Sequence, residues 1–151
     1  MMTFTGDVFF RHAPEPAMLR TTIASSLGFK PEEIMLRDEH AETSYPGDAR
    51  VVVLRLTPNV GGDFPARYDL MMEADRLDDL PQLLSGLATA TNSPILADAD
   101  SDDPLAMVLY LTDGSRHLVS VDQGHDGGIR ITPFMQALIA STHRQPMRLA
   151  S

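Results

Sequence analysis

The stretch Asp98-Ala99-Asp100-Ser101-Asp102-Asp103 holds the residue types and spacing that come nearest to a chemistry. Carboxylates at every second position match the first three ligand positions of a calcium loop. Such a loop also needs a glycine at its sixth position for the sharp turn and a bidentate glutamate at its twelfth. Here those positions hold Asp103 and Leu109. The turn is hard to make and the closing ligand is missing, so no metal site is predicted. What remains is a run of carboxylates, either a solvated loop or a docking surface for a cationic partner.

The other candidates are weaker. The five histidines are His12, His40, His117, His125 and His143, and none is paired at i, i+3 or i, i+4. No helix therefore presents two imidazoles to one metal ion. Glu39 and Glu42 flank His40, and a carboxylate–imidazole pair can move protons, but the polar stretch DEHAETSYPGD reads as an exposed connection. His125-Asp126 lies among glycines, and no serine has the G-x-S-x-G context of a nucleophile elbow. A dispersed triad stays open, because such groups converge in space and not in sequence. His117 shares a strand face with Val119 and Val121 and reads as a partly buried, satisfied histidine. Gly61-Gly62 and Gly127-Gly128 lack the spacing of phosphate-binding loops. The absence of cysteine excludes disulfides, thiol nucleophiles and thiolate metal sites. The residues thus predict no catalytic group, no metal and no cofactor. They point to a protein that binds rather than reacts, with an enzyme of dispersed site as an alternative.

The elements that must position these residues follow from periodicity and turn residues. Val8-Phe9-Phe10 reads as a short first strand. Pro14-Glu15-Pro16 opens a helix, since proline is tolerated in the first turn, and Met18, Leu19, Ile23 and Leu27 fall at helical spacing. Gly28 followed by Phe29 is a left-handed cap. Three strands come next, at 34–37, 50–57 and 67–73. The middle one is rich in β-branched residues. In the last, Tyr68, Leu70 and Met72 alternate with Arg67, Asp69 and Glu73. A second helix begins near Asp75 or Asp78, places Pro81 in its first turn, and lines up Leu77, Leu80, Leu84 and Leu87 before Asn92-Ser93-Pro94 stops it. Ile95-Leu96 begins a short strand. Residues 105–111 and 116–121 flank Asp113-Gly114, the strongest short hairpin signal. Residues 129–131 pair back across a further glycine turn. Thr132-Pro133 caps a last helix, docked by Phe134, Met135, Leu138 and Ile139.

The order is β-α-β-β-β-α-β-β-β-α. It predicts an α+β fold, an antiparallel β-sheet with two to three helices packed mainly on one face. A single domain over 1–143 and a frayed tail at 144–151 are expected. A chain of this length buries about 70% of its unfolded surface, enough for a real core. Its apolar runs are strand-sized, far short of the roughly 20 residues of a membrane helix. The first residues lack a basic region followed by an apolar stretch, so no secretory signal is read and the cytoplasm is the expected compartment.

Charge is the strongest global signal. Fourteen of the 21 acidic residues lie in 38–104, against four arginines, and the flanking segments are near neutral. Such a field repels nucleic acid and steers a basic partner. The expected partner is a basic protein, with no nucleic acid and no membrane; sequence leaves monomer and homodimer open. Asp98, Asp100, Asp102 and Asp103 are the candidate contacts, with Tyr45 and Phe64, in predicted loops, as aromatic anchors.

The layout of residues 77–123, LDDLPQLLSGLATATNSPILADADSDDPLAMVLYLTDGSRHLVSVDQ, resembles that of small bacterial immunity proteins, which neutralise toxins delivered between competing cells. The resemblance lies in an apolar helix, "PIL", an acidic loop, a proline opening a strand, a "DG" turn and a last strand. It implies a small acidic cytoplasmic inhibitor that engages a basic toxin through carboxylates, Asp98, Asp100, Asp102 and Asp103 foremost. The element order also resembles class I secretion chaperones, dimers that wrap an extended effector segment, apart from an extra first strand and an extra strand at 129–131.

Overall fold

The computed structural model describes residues 2–38, 50–55, 62–74, 79–99, 101–124 and 128–148. Strand β1 (Met2–Phe10) leads into helix α1 (Pro16–Leu27), a single 3-10 turn (Pro31–Glu33) and strands β2 (Ile34–Asp38), β3 (Val51–Arg55) and β4 (Ala66–Ala74). Helix α2 (Asp79–Thr91) follows, then β5 (Ile95–Asp98), β6 (Ala106–Tyr110), β7 (Arg116–Ser120), β8 (Asp122–Gln123), β9 (Ile129–Arg130) and helix α3 (Pro133–Arg148). The fold is α+β, as the order of elements predicts.

Seven strands form one sheet in the order β2-β3-β4-β1-β5-β6-β7, and β8 and β9 form a separate two-stranded ribbon. All neighbours in the large sheet are antiparallel except β2 and β3, which run parallel. The first strand is far longer than its apolar end suggests. It pairs with β4 from Met2↔Ala74 to Phe10↔Ala66 and with β5 at Val8↔Ala97 to Phe10↔Ile95. Thr3, Thr5, Gly6 and Asp7 mask a central strand that polar residues would not announce.

Period-two alternation splits the core into two layers. On one face Val8, Phe10, Val51, Val53, Tyr68, Leu70 and Ile95 pack against α1 and α2. Phe10 and Tyr68 meet edge to face, ring centroids 5.3 Å apart. On the other face Phe9, Leu96, Met107, Leu109 and Val119 pack with Met135 and Ile139 of α3. Two helices thus cover one face and the third covers the other.

Local chemistry sets the boundaries. Pro16 occupies the first turn of α1, and Gly28 at φ +71° closes it, with the Phe29 N–H donating to the Ala24 carbonyl at 3.0 Å, the long bond of a Schellman cap. Asn92, at φ +52°, ends α2. Gly114, at φ +89°, turns the β6–β7 hairpin, and the Asp113 carboxylate accepts from both the N–H and the hydroxyl of Ser115. These bonds hold Asp113 below the usual carboxylate range. The Met135 N–H donates to Thr132 Oγ1 at 3.3 Å, the predicted cap of α3.

Two helical assignments need correction. Met18 is 41% and Phe134 63% exposed. The buried stripe of α1 is Leu19, Ile23 and Ala24, and that of α3 is Met135, Ile139 and Thr142. Met18 and Phe134 each sit one residue, about 100° of helix rotation, before a buried position. Helix α3 runs from Pro133 to Arg148.

Candidate functional site: a carboxylate row at a cleft

Asp7 lies in β1 directly opposite Asp69 of β4. Val8 pairs with Ala97, so one step further along the same ladder brings Asp7 beside Asp98 at the end of β5. Three neighbouring strands therefore carry carboxylates side by side on one face. Phe9 and Leu96 share that face, which is the side of the sheet covered by α3. Like charges directly opposite each other across strands are destabilising, and among the described residues Arg67 is the cation that balances them. Arg67 sits opposite Phe9 and its Nη2 donates to Asp7 Oδ2 at 2.8 Å. Its Nε is buried without a hydrogen-bond partner.

Burial and repulsion leave their mark on the two outer acids. Asp69 is raised above the ordinary carboxylate range by burial first and by the Asp7 charge second, against a smaller lowering by Arg67. Asp98 is raised by burial and then by Asp7, with the backbone N–H of Asp7 and the Arg67 charge working the other way. Asp98 remains largely open to solvent, which limits the energy involved. A raised carboxylate binds its proton more tightly in the folded than in the unfolded chain. Stability must then fall as pH climbs from the ordinary carboxylate range through the raised values. The Asp98→Asn variant is expected to melt at a higher temperature than the parent at pH 7 and at an equal temperature near pH 3. Thermal melts across pH check this; a variant less stable at pH 7 would contradict it.

Asp7, Arg67 and Asp98 face a cleft of about 230 Å³ whose remaining walls include Phe9, Met107, Val121 and Ile129. The β9 wall is held by a clamp. Gly62 bridges to Ile129, the Asp63 N–H donates to the Ile129 carbonyl at 2.7 Å, and the Ile131 N–H donates to Asp63 Oδ2 at 2.9 Å. Gly62 thus has a structural use, and Asp63 is tied into the backbone.

The predicted contacts separate into three groups. Asp98 belongs to the row. Asp102 and Asp103 are exposed and do not line the cleft, and Asp103 closes the local turn: its Oδ1 accepts from the Leu105 N–H at 2.9 Å. Tyr45 and Asp100 lie outside the described residues. Phe64 overturns its expectation: it is fully buried, at 0% exposure, in the core layer beneath α3. Loop-forming neighbours disguised a core aromatic, and Phe64 is no surface anchor. Asp7 and Asp69 were the residues that sequence reasoning missed. Their only signal was alternation, because the register joining them spans about sixty residues of chain.

Among the described residues no group of three or more His, Asp or Glu is placed to hold a metal ion. His117 is partly buried, with Nε2 3.2 Å from Ser115 Oγ. Among the described residues no helix is long and apolar enough to cross a membrane. No family model matches the chain, and neither a curated protein nor a solved structure matches it.

Proposed function

We propose that this chain is a non-enzymatic binding protein, an immunity protein of the cytoplasm that blocks a basic bacterial toxin. The carboxylate row carries the reading. Three acids on adjacent strands, balanced by one arginine, form a site whose repulsion a further cation relieves. A lysine or arginine of the partner entering the cleft would set its charge against Asp98 and Asp7. Its aliphatic stem would lie on Phe9, Met107 and Ile129, the way amphipathic side chains bury their stems. The excess of acids over 38–104 would steer the encounter and speed association.

Affinity capture from lysate of the host tests this. The tagged chain is expected to retain one basic protein at low salt and to release much of it at moderate salt. Asp98→Lys, on an exposed position, is expected to abolish retention while the fold melts normally. An empty capture by the folded parent, or capture indifferent to Asp98→Lys, would refute the proposal.

One observation favours a second reading, a dimeric secretion chaperone. Strand β7 is an edge of the sheet and carries Leu118, 71% exposed, an apolar group available to a dimer seam. Light scattering on the purified chain separates the two: a strict monomer removes the chaperone reading.

A further inference from the structure

A second charged cleft lies on the opposite face of the sheet. Arg55 ends β3 and stands opposite Tyr68 of β4. Two residues earlier, Val53 belongs to the core layer under α1, so Arg55 shares the face that α1 covers. A cleft of about 210 Å³ opens there, between the start of α1 and the ends of β2 and β3. Among the described lining residues the charged ones are Arg37 and Arg55; Asp38 stands opposite Arg55 in the β2–β3 ladder. That composition runs against a chain with 21 acidic and 12 basic residues. Among the described residues Arg55 has no ion pair, and its Nε is buried with no hydrogen-bond partner.

Arg55 is only partly buried, but its Nε–H is a buried donor without a partner, and leaving such a donor unpaired is costly. Such a group in a native fold calls for a missing partner, such as an ion. The guanidinium fork suits an oxyanion, which it can bind through two parallel N–H···O bonds. The other walls are Leu19, Leu36, Val53, Tyr68 and two prolines, apolar apart from the Tyr68 hydroxyl. We infer that this cleft is a binding site for a small oxyanion, a carboxylate or phosphate group, carried on a short apolar body. It is separate from the carboxylate row and does not depend on the partner proposed above.

The Nε–H of Arg55 is the reporter, since burial slows its exchange with water. The full chain, labelled with nitrogen-15, is titrated with inorganic phosphate, with butyrate and with sodium chloride at matched ionic strength. The site predicts a saturable shift of the Arg55 signal with phosphate or butyrate and a smaller, non-saturating drift with chloride. Saturation by phosphate assigns a phosphate site, and saturation by butyrate alone assigns a carboxylate site. Arg55→Gln is expected to weaken the saturating anion at least tenfold, read from backbone amides around the cleft. If that variant does not fold, the parent titration decides alone. An Arg55 signal that follows all three salts alike, or a folded Arg55→Gln chain that binds as tightly as the parent, overturns the inference.

Discussion

Replacing Phe64 by alanine is expected to lower stability by about 3–5 kcal/mol, the range found when a buried phenylalanine is truncated. Phe64 is wholly enclosed in the layer that joins β1, β5, β6 and β7 to α3. Truncation removes a ring from a close-packed site and leaves a cavity that the surrounding strands, held in register, can only partly fill. The Arg11 guanidinium, 6.0 Å from the ring centroid, would also lose its aromatic face. Urea unfolding of parent and variant measures the difference. An exposed anchor residue in the same loop would change stability by less than about 0.5 kcal/mol, so the experiment distinguishes core from docking surface directly. A near-zero change would return Phe64 to the surface.

Gly62→Ala is expected to cost roughly 2–4 kcal/mol, from left-handed strain of about 1–3 kcal/mol and loosened hydrogen bonds of about 1 kcal/mol each. Gly62 has φ +90°, and an added Cβ would stand 2.3 Å from the Ile129 carbonyl oxygen, 2.7 Å from its nitrogen and 2.9 Å from its carbonyl carbon. These are backbone atoms and cannot swing aside. The chain must separate from β9, stretching the Asp63–Ile129 and Ile131–Asp63 bonds that hold the cleft wall. Gly114→Ala is the control. Its φ is +89°, but nothing lies within 4 Å of the added carbon, so only the conformational cost of about 1–2 kcal/mol applies. Equal losses in the two variants would show that the close approach to Ile129 carries no weight. Amide shifts confined to 129–131 in a folded Gly62→Ala chain would locate the damage.

Local signals made most of the fold legible. The proline and glycine bounding α1, the Asp-Gly turn between β6 and β7, and the Thr132 cap of α3 each act within a few residues, and each stands where the sequence places it. The long β1 was hidden, because its polar half is stabilised by pairing along all nine residues with β4 rather than by intrinsic preference. The parallel β2–β3 pair was equally illegible, since consecutive strands usually turn back on each other and nothing in residues 34–38 declares direction. The candidate site shows the same division. The acidic run made Asp98 visible. Its companions came from strands that meet only through sheet register, Asp7 near the start of the chain and Asp69 in what read as an ordinary solvent-facing alternation. Phe64 misled for the reverse reason: proline, glycine and aspartate around it describe the backbone's path and say nothing of where the ring points.

The central claim is that the row of Asp7, Asp69 and Asp98 is short of positive charge and accepts a cationic side chain. The titration of the Asp98 carboxyl carbon by NMR, free and with an oligo-arginine peptide, tests it most directly. Asp98 is expected to titrate above the ordinary aspartate range in the free chain, and the peptide to lower it. An Asp98 that titrates within the ordinary aspartate range in the free chain and does not respond to the peptide would contradict it.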